Sequence, residues 1–499
     1  MILGIDLGTT YSAVAAPDAT GRARVLPNRL GELTTPSVVS FPGPGEALVG
    51  GMAKERAAHD PDHTVALFKR RMGTEFPLEF HGERHTPESV SAVLLRALVD
   101  DARAALGADL DEPVRAVVTV PAYFGIREKE ATQQAARMAG IEVLDLVPEP
   151  VAAALHYGVA DTTDRTALVY DLGGGTFDCT VLRISGGTVT VLATDGESHL
   201  GGAEIDDRLG DVLLDRLAAG LPADVDADDL RDDPALREEV LGLAEVAKRT
   251  LSGRQRHRVT LRYQGHTVRT EVDRELLAAE AQDLVDRTMA IVERLLVRAR
   301  GAGLDEIVLV GGSSRLPAVS AALSARFGRT PLLSDPELAV ALGAAVRAGD
   351  SQTVPVLPRG LGILLRDSYD PAGLREFVEP VLEAGTAFGV SRTLPFATVV
   401  DRQSAVRIQV YEQAGAVASE EVAHNRRVLD GEFTGLADLP AGSRVDVTLA
   451  IGTDGRLSVS ATDVLQRREL VLQAYVDGVV DDADASRLSA TAASLVIRQ

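Results

Sequence analysis

The chain has 499 residues, 45% apolar and 25% charged, enough for several domains with large buried cores. A formal net charge of −22 argues against a nucleic-acid-binding surface; the single cysteine, Cys179, excludes an intrachain disulfide and suits a reducing, cytoplasmic setting. The opening "MILGIDLG" has no basic leader and no apolar stretch reaches 18 residues, so neither a signal peptide nor a membrane span is expected.

Residues 1–350 alternate short Val/Ile/Leu-rich runs with helical segments. Ile2–Ile5 reads as a strand that runs into "DLGTT". A helix is expected after Thr86, which can cap it, with Pro87 in the first turn, an apolar stripe of Val90, Val93, Leu94, Ala97 and Leu98, and Gly107 at the end. Strands follow at Ala116–Val120, Ala167–Tyr170 and Glu306–Val310; unbroken apolar runs fit strands covered on both faces, hence an α/β architecture. Residues 351–359, within "SQTVPVLPRG", read as an interdomain linker. From 360 to 480 the period becomes two: in "RVDVTLAIGTDGRLSVSA" Val445, Val447, Leu449 and Ile451 share a face, and Asp454-Gly455 supplies a turn. These residues predict an antiparallel β domain. Residues 481–499 have room for one short helix. The acidic run at 221–239 reads as solvated surface, and Cys179 as a small core residue. The histidine pairs His59/His63 and His81/His85, the latter in a glycine-containing loop, lack a metal-ligand pattern.

One phrase occurs twice. "IDLGTTY" (5–11) and "YDLGGGTFD" (170–178) each place Asp-Leu-Gly at the end of an apolar run and continue into Thr. Such a turn has little side-chain bulk, so backbone N–H groups can converge on an anion. The aspartate repels phosphate but can hold Mg²⁺ through water. Two such turns facing one another would clamp a polyphosphate, so the repeat predicts two related halves around a shared cleft. No Walker A phrase is present.

"GIDLGTTYSAV", "VVTVPAYFGIREKEATQQAARMAGIEVLDLVPEPVAAALHYG", "VYDLGGGTFD" and "VLVGGSSRLP" closely resemble the DnaK-type heat-shock chaperone family, whose ATPase fold is shared with actin and the sugar kinases. The resemblance covers nearly all of residues 1–350. "FATVVDRQSAVRIQVYEQ" and "LAIGTDGRLSVSATD" resemble, more loosely, the family's peptide-binding β sandwich. The resemblance implies ATP/ADP and Mg²⁺ as ligands. It assigns Gly8, Thr9, Thr10 and Tyr11 to the first phosphate loop, and Gly173, Gly174, Gly175 and Thr176 to the second. Asp6 and Asp171 fall around hydrated Mg²⁺; Lys69, Glu149, Thr176 and Asp178 fall near the γ-phosphate and the attacking water. Gly201, Gly202, Glu245, Lys248, Arg249, Ser252, Gly311, Gly312, Ser313 and Arg315 surround the rest of the nucleotide. Pro121 and Lys129 match a nucleotide-sensing switch, and Val378, Val399 and Val406 fall near the peptide pocket and its arch.

The chain departs from the family pattern in several places. Lys129 replaces a usual Arg, keeping charge without the bidentate fork. Only residues 74–85 separate "RRMG" from the next helix, so one ATPase subdomain looks trimmed. Val246 stands where an adenine-stacking Arg is common, and Val399 is larger than the usual arch residue. Two prolines limit strand pairing by the linker. No helical lid is expected after the β domain, and a site without one would release peptide fast. The expected function is an ATP-dependent chaperone acting on extended apolar polypeptide segments, with a J-domain co-chaperone and a nucleotide-exchange factor as partners. The alternative is a nucleotide-gated scaffold for one dedicated protein. A sugar-kinase-like activity is opposed by "VPAYF" and the β domain.

Overall fold

The computed structural model describes the chain apart from residues 19, 110–111, 159–163, 186–187, 223–228, 300–302, 334, 350–352, 355–356, 358, 367–374, 399, 415–418, 435, 437–439, 453–456, 466–467 and 476–481. The expected turn at Asp454-Gly455 and the arch residue Val399 lie outside the described residues.

The repeated phrase corresponds to a repeated topology. In the first lobe the strands lie in the order 141–148, 114–120, 2–6, 11–17, 23–26; in the second the order is 332–333, 306–310, 165–172, 177–185, 188–197. Numbered within each lobe, both read five, four, one, two, three. The first three strands are antiparallel, and the first pairs in parallel with the fourth. Each Asp-Leu-Gly phrase therefore sits at the end of the first strand of its lobe, on the turn into the second. Ile5, Leu3, Tyr170 and Leu168 are wholly buried, as strands covered on both faces require.

Between the lobes, the Glu149–Gly158 helix packs on the Ala339–Ala348 helix so closely that a Cβ at Gly343 would collide with the Ala152 backbone. The Pro87–Leu106 helix has the expected ends. Thr86 Oγ1 accepts from Ser89 N–H, and Gly107 closes it with φ +64°.

The β domain follows one path of eight strands: 376–382, 361–366, 405–413, 425–434, 468–475, 457–463, 444–451, 390–397. Its two ends fold over a common core that includes Ile408, Val410, Phe433, Val445, Val447 and Leu449. The domain sits against the first lobe. Arg426 donates to both carboxylate oxygens of Glu128 (2.8 and 3.1 Å) and to Glu412 (2.9 Å), whose carboxylate lies over the start of the Ile126–Met138 helix. A side chain on Gly125, the residue that precedes this helix, would strike that carboxylate.

Two expectations need correction, and one about the linker is met. Residues 78–85 are a hairpin, Leu78–Phe80 with Glu83–His85, instead of a loop; His81 and Gly82 make its left-handed turn, and Phe80 and His85 stack on Phe41. Pairing by the linker is limited, as its prolines lead one to expect: among the described residues only Thr353–Val354 lies parallel to Val189–Thr190. The C-terminal segment is more than a short helix. After the Asp482–Ser494 helix, Val496–Arg498 forms a parallel strand with Glu46–Leu48 of the first lobe. Leu488, Ala492 and Leu495 are buried there, and a three-residue strand on a pre-existing edge leaves no readable period in the sequence.

Candidate functional site

The ends of the two first strands face one cleft, and around it the half-buried Asp6 and the buried Glu149, Asp171 and Asp178 lie about the Lys69 ammonium. Lys69, on the Phe68–Arg71 turn, is 3% exposed and donates to Glu149 Oε1 at 2.6 Å. Asp6 accepts from Thr119 Oγ1 at 3.1 Å. Asp171 and Asp178 are partners across the turn between their strands. Burial, then the charge of Glu149, pushes the Asp6 carboxyl up to about 7 and raises Asp171 and Asp178 well above the ordinary range; Lys69 offsets only part of this. Four carboxylates and one ammonium leave a deficit of positive charge that a hydrated divalent cation would fill. Asp178 Oδ1 and Thr10 Oγ1 are buried without a partner among the described residues. The donor set thus fits a cation with its own waters and a nearby oxyanion.

The two glycine turns touch. A Cβ on Gly174 would collide with Thr10, and one on Gly175 with Thr9. In the first turn, Gly8 O accepts from Ser37 Oγ at 2.8 Å and Thr10 O from Ser37 N–H at 2.8 Å. In the second, Gly173 O accepts from Gly202 N–H at 3.0 Å and Gly174 O from Ala203 N–H at 2.6 Å. Gly201 and Gly202 open the Gly202–Gly220 helix and pass so close to the turn and to Ser313 that neither has room for a side chain.

Beyond the turns the cleft widens into a cavity of about 280 Å³. The Pro234–Gly253 helix presents Glu245, Lys248, Arg249 and Ser252 from one face. The 311–315 turn presents Gly311, Gly312, Ser313 and Arg315 from the other side. Gly311 needs its freedom: φ is +79°, and a Cβ would meet Asp171. Lys248 Nζ donates to Gly202 O (2.9 Å) and Asp206 (2.6 Å). Tyr11 O–H donates to Glu245 at 2.7 Å, and Arg249 lies over the Tyr11 ring. Val246, 53% exposed, is on the outer side of its helix.

Most of the sequence-derived residues of the first 350 positions therefore converge here. Val378 and Val406 do not line one pocket. Val378 lines a cavity between the β domain and the second lobe, while Val406 packs on the sandwich core. Pro121 ends its strand, and Lys129 is buried with its ammonium 4.7 Å from the Phe388 ring of the β domain, its pKa lowered to about 8 chiefly by burial. Four participants escaped sequence reasoning. Lys54 pairs with Glu245 from the opposite lobe, Glu337 holds Arg315 by two bonds of 2.5 and 2.7 Å, Asp206 holds Lys248, and Arg70 spans the cleft. Single charged residues on ordinary helices or turns carry no local signal.

Two lobes of one topology clamping a polar cleft, followed by a two-layered β domain, define the class: an actin-like ATPase domain joined to a β sandwich. The chain matches the family described as Hsp70 protein over residues 2–80 and 77–496. The chaperone protein DnaK of Thermotoga petrophila is 36% identical over 495 residues, covering 94% of this chain and 79% of the relative; that of Thermotoga maritima gives the same values. DnaK of Halobacterium salinarum (strain ATCC 29341) is 37% identical over 480 residues, covering 93% and 73%. The chain belongs to the Hsp70 family of chaperones.

Proposed function

We propose that this chain binds Mg²⁺–ATP in the interlobe cleft, hydrolyses it slowly, and uses the nucleotide state to set the affinity of its β domain for extended apolar polypeptide segments. The observation that carries this reading is the buried Lys69–Glu149 pair among Asp6, Asp171 and Asp178, facing two glycine turns. Bound Mg²⁺ would add the missing positive charge and neutralise developing phosphate charge. Asp6 and Asp171 would hold it through water. The turn at Gly8–Tyr11 and that at Gly173–Thr176 would supply backbone and hydroxyl donors to the phosphates. Lys69, oriented by Glu149, would stabilise the leaving charge. Asp178 Oδ1, buried without a partner among the described residues, would accept the proton of the attacking water. Glu245, Lys248, Arg249, Ser252, Gly201, Gly202, Gly311, Gly312, Ser313 and Arg315 would enclose the nucleoside and remaining phosphates.

Coupling is proposed to run from Pro121 through the 126–138 helix to Lys129, Glu128 and the β domain packed on them. Val378, Val399 and Val406 remain the proposed peptide-contact positions. The proposed setting is cytoplasmic, with a J-domain co-chaperone and a nucleotide-exchange factor as partners. Single-turnover hydrolysis with and without extended apolar peptides tests the reading. A slow rate that rises with peptide and vanishes in Lys69→Ala is expected; a rate indifferent to every peptide would instead indicate a scaffold for one dedicated partner.

A further inference from the structure

Arg70 follows Lys69 on the same turn but serves the other lobe. Its side chain is 10% exposed. Nε donates to Gly175 O at 2.9 Å and the terminal NH2 to Glu204 Oε1 at 2.7 Å, both across the cleft. A Cβ on Gly175 would stand only 3.0 Å from Nε, so the glycine leaves the guanidinium its approach.

The three successive carbonyls of the second glycine turn are all tied back. Gly173 O is held by Gly202 N–H, Gly174 O by Ala203 N–H, and Gly175 O by Arg70. In a trans peptide unit the carbonyl and the following N–H point in opposite directions, and no cis bond occurs among the described residues. Tying back these oxygens therefore turns the N–H groups of Gly174, Gly175 and Thr176 toward the cavity that Gly173, Gly174 and Thr176 line. Two of the three are set from within the second lobe. The third, Thr176 N–H, is set from the first.

We propose that Arg70 is a positioning residue that aims the Thr176 amide into the phosphate cleft, so that the second turn is complete only while the two lobes are closed on each other. This rests on the nucleotide-hydrolysis reading above. Glu204 keeps the guanidinium in its plane, which leaves Nε on the carbonyl. Lysine could donate to Gly175 O or to Glu204 but not to both in this geometry.

The test uses the full chain and two readouts. In nucleotide-free protein, backbone ¹⁵N relaxation at Thr176 is expected to fall in Arg70→Gln from the rigid range, about 0.85, toward loop values near about 0.6, with Gly202 and Ala203 unchanged. In single-turnover hydrolysis the same variant is expected to lose about tenfold or more in rate, with the Kd for Mg²⁺–ADP within about threefold. Arg70→Lys should recover part of the rate, which a merely structural contact would not require. An unchanged Thr176 order parameter, or a rate loss matched by an equal loss of ADP affinity, overturns the proposal. If Arg70→Gln does not fold, Arg70→Lys carries both readouts, with loss of order at Thr176 expected and unchanged order refuting. A wild-type chain without hydrolysis refutes the ATPase reading alone, because the relaxation readout needs no nucleotide.

Discussion

Removing Arg426 should release the β domain from the ATPase domain. Arg426 makes three charge-assisted hydrogen bonds, two to Glu128 and one to Glu412. In Arg426→Ala, Glu412 (1% exposed) and Glu128 (16%) would be left as two like charges at one buried contact, offset only in part by Lys129 and Arg359. Leaving a buried carboxylate uncompensated costs about 3–5 kcal/mol. Arg426 itself is 30% exposed, so water recovers part of this, and about 2–3 kcal/mol is expected, roughly 30- to 150-fold in the docking equilibrium. Small-angle scattering should show a larger radius, and limited proteolysis faster cutting near the interface. The pH dependence is a second check. Burial, then Glu128, raises the Glu412 carboxyl, so the docked state binds that proton more tightly and docking in the variant should recover as pH falls. A double variant Arg426→Met, Glu412→Gln should recover docking at neutral pH. Unchanged scattering and proteolysis in Arg426→Ala would refute the view that this cluster holds the domains together.

Lys69→Ala should reduce single-turnover ATP hydrolysis by about 100-fold or more, since it removes the ammonium that faces the carboxylate cluster. The Asp6 carboxyl, raised to about 7, gives the metal-free protein a stability contribution that is present at low pH and lost as pH rises through 7, so calorimetric melting temperature should fall from pH 5 to pH 8 and flatten with Mg²⁺ and nucleotide. Lys54→Met should speed ADP release measured by stopped flow by about 3- to 10-fold, because it removes a partly exposed link between the lobes. Leu495→Ala should cost about 2–3 kcal/mol in chemical denaturation, given a 4% exposed side chain in the core of the first lobe.

The twofold Asp-Leu-Gly phrase made the ATPase lobes readable, because a strand end, a glycine turn and a threonine lie together in the chain. The Thr86–Gly107 helix was equally plain, since cap, proline, stripe and terminal glycine all agree. The 444–451 strand was legible because Val445, Val447 and Leu449 turn to the sandwich core and Ile451, on the same face, to the adjoining apolar cluster with Leu361 and Leu382. What escaped was made by distance. Arg70 and Lys54 acquire their roles only when the second lobe arrives, 105 and 191 positions further on. Glu412 is an unremarkable strand residue until it meets the start of a helix 286 positions earlier. The C-terminal strand pairs with an edge that local periodicity does not reveal.

That strand also changes how the β domain is attached. The chain leaves the ATPase domain along an edge strand of the second lobe, at Thr353–Val354, and comes back to an edge strand of the first, at Val496–Arg498. Topologically the sandwich is an insertion with both ends anchored, not a pendant held at one end. A single backbone nick near the linker would leave it held by its other end, so only two cuts, or one cut together with loss of the terminal pairing, would let it diffuse away.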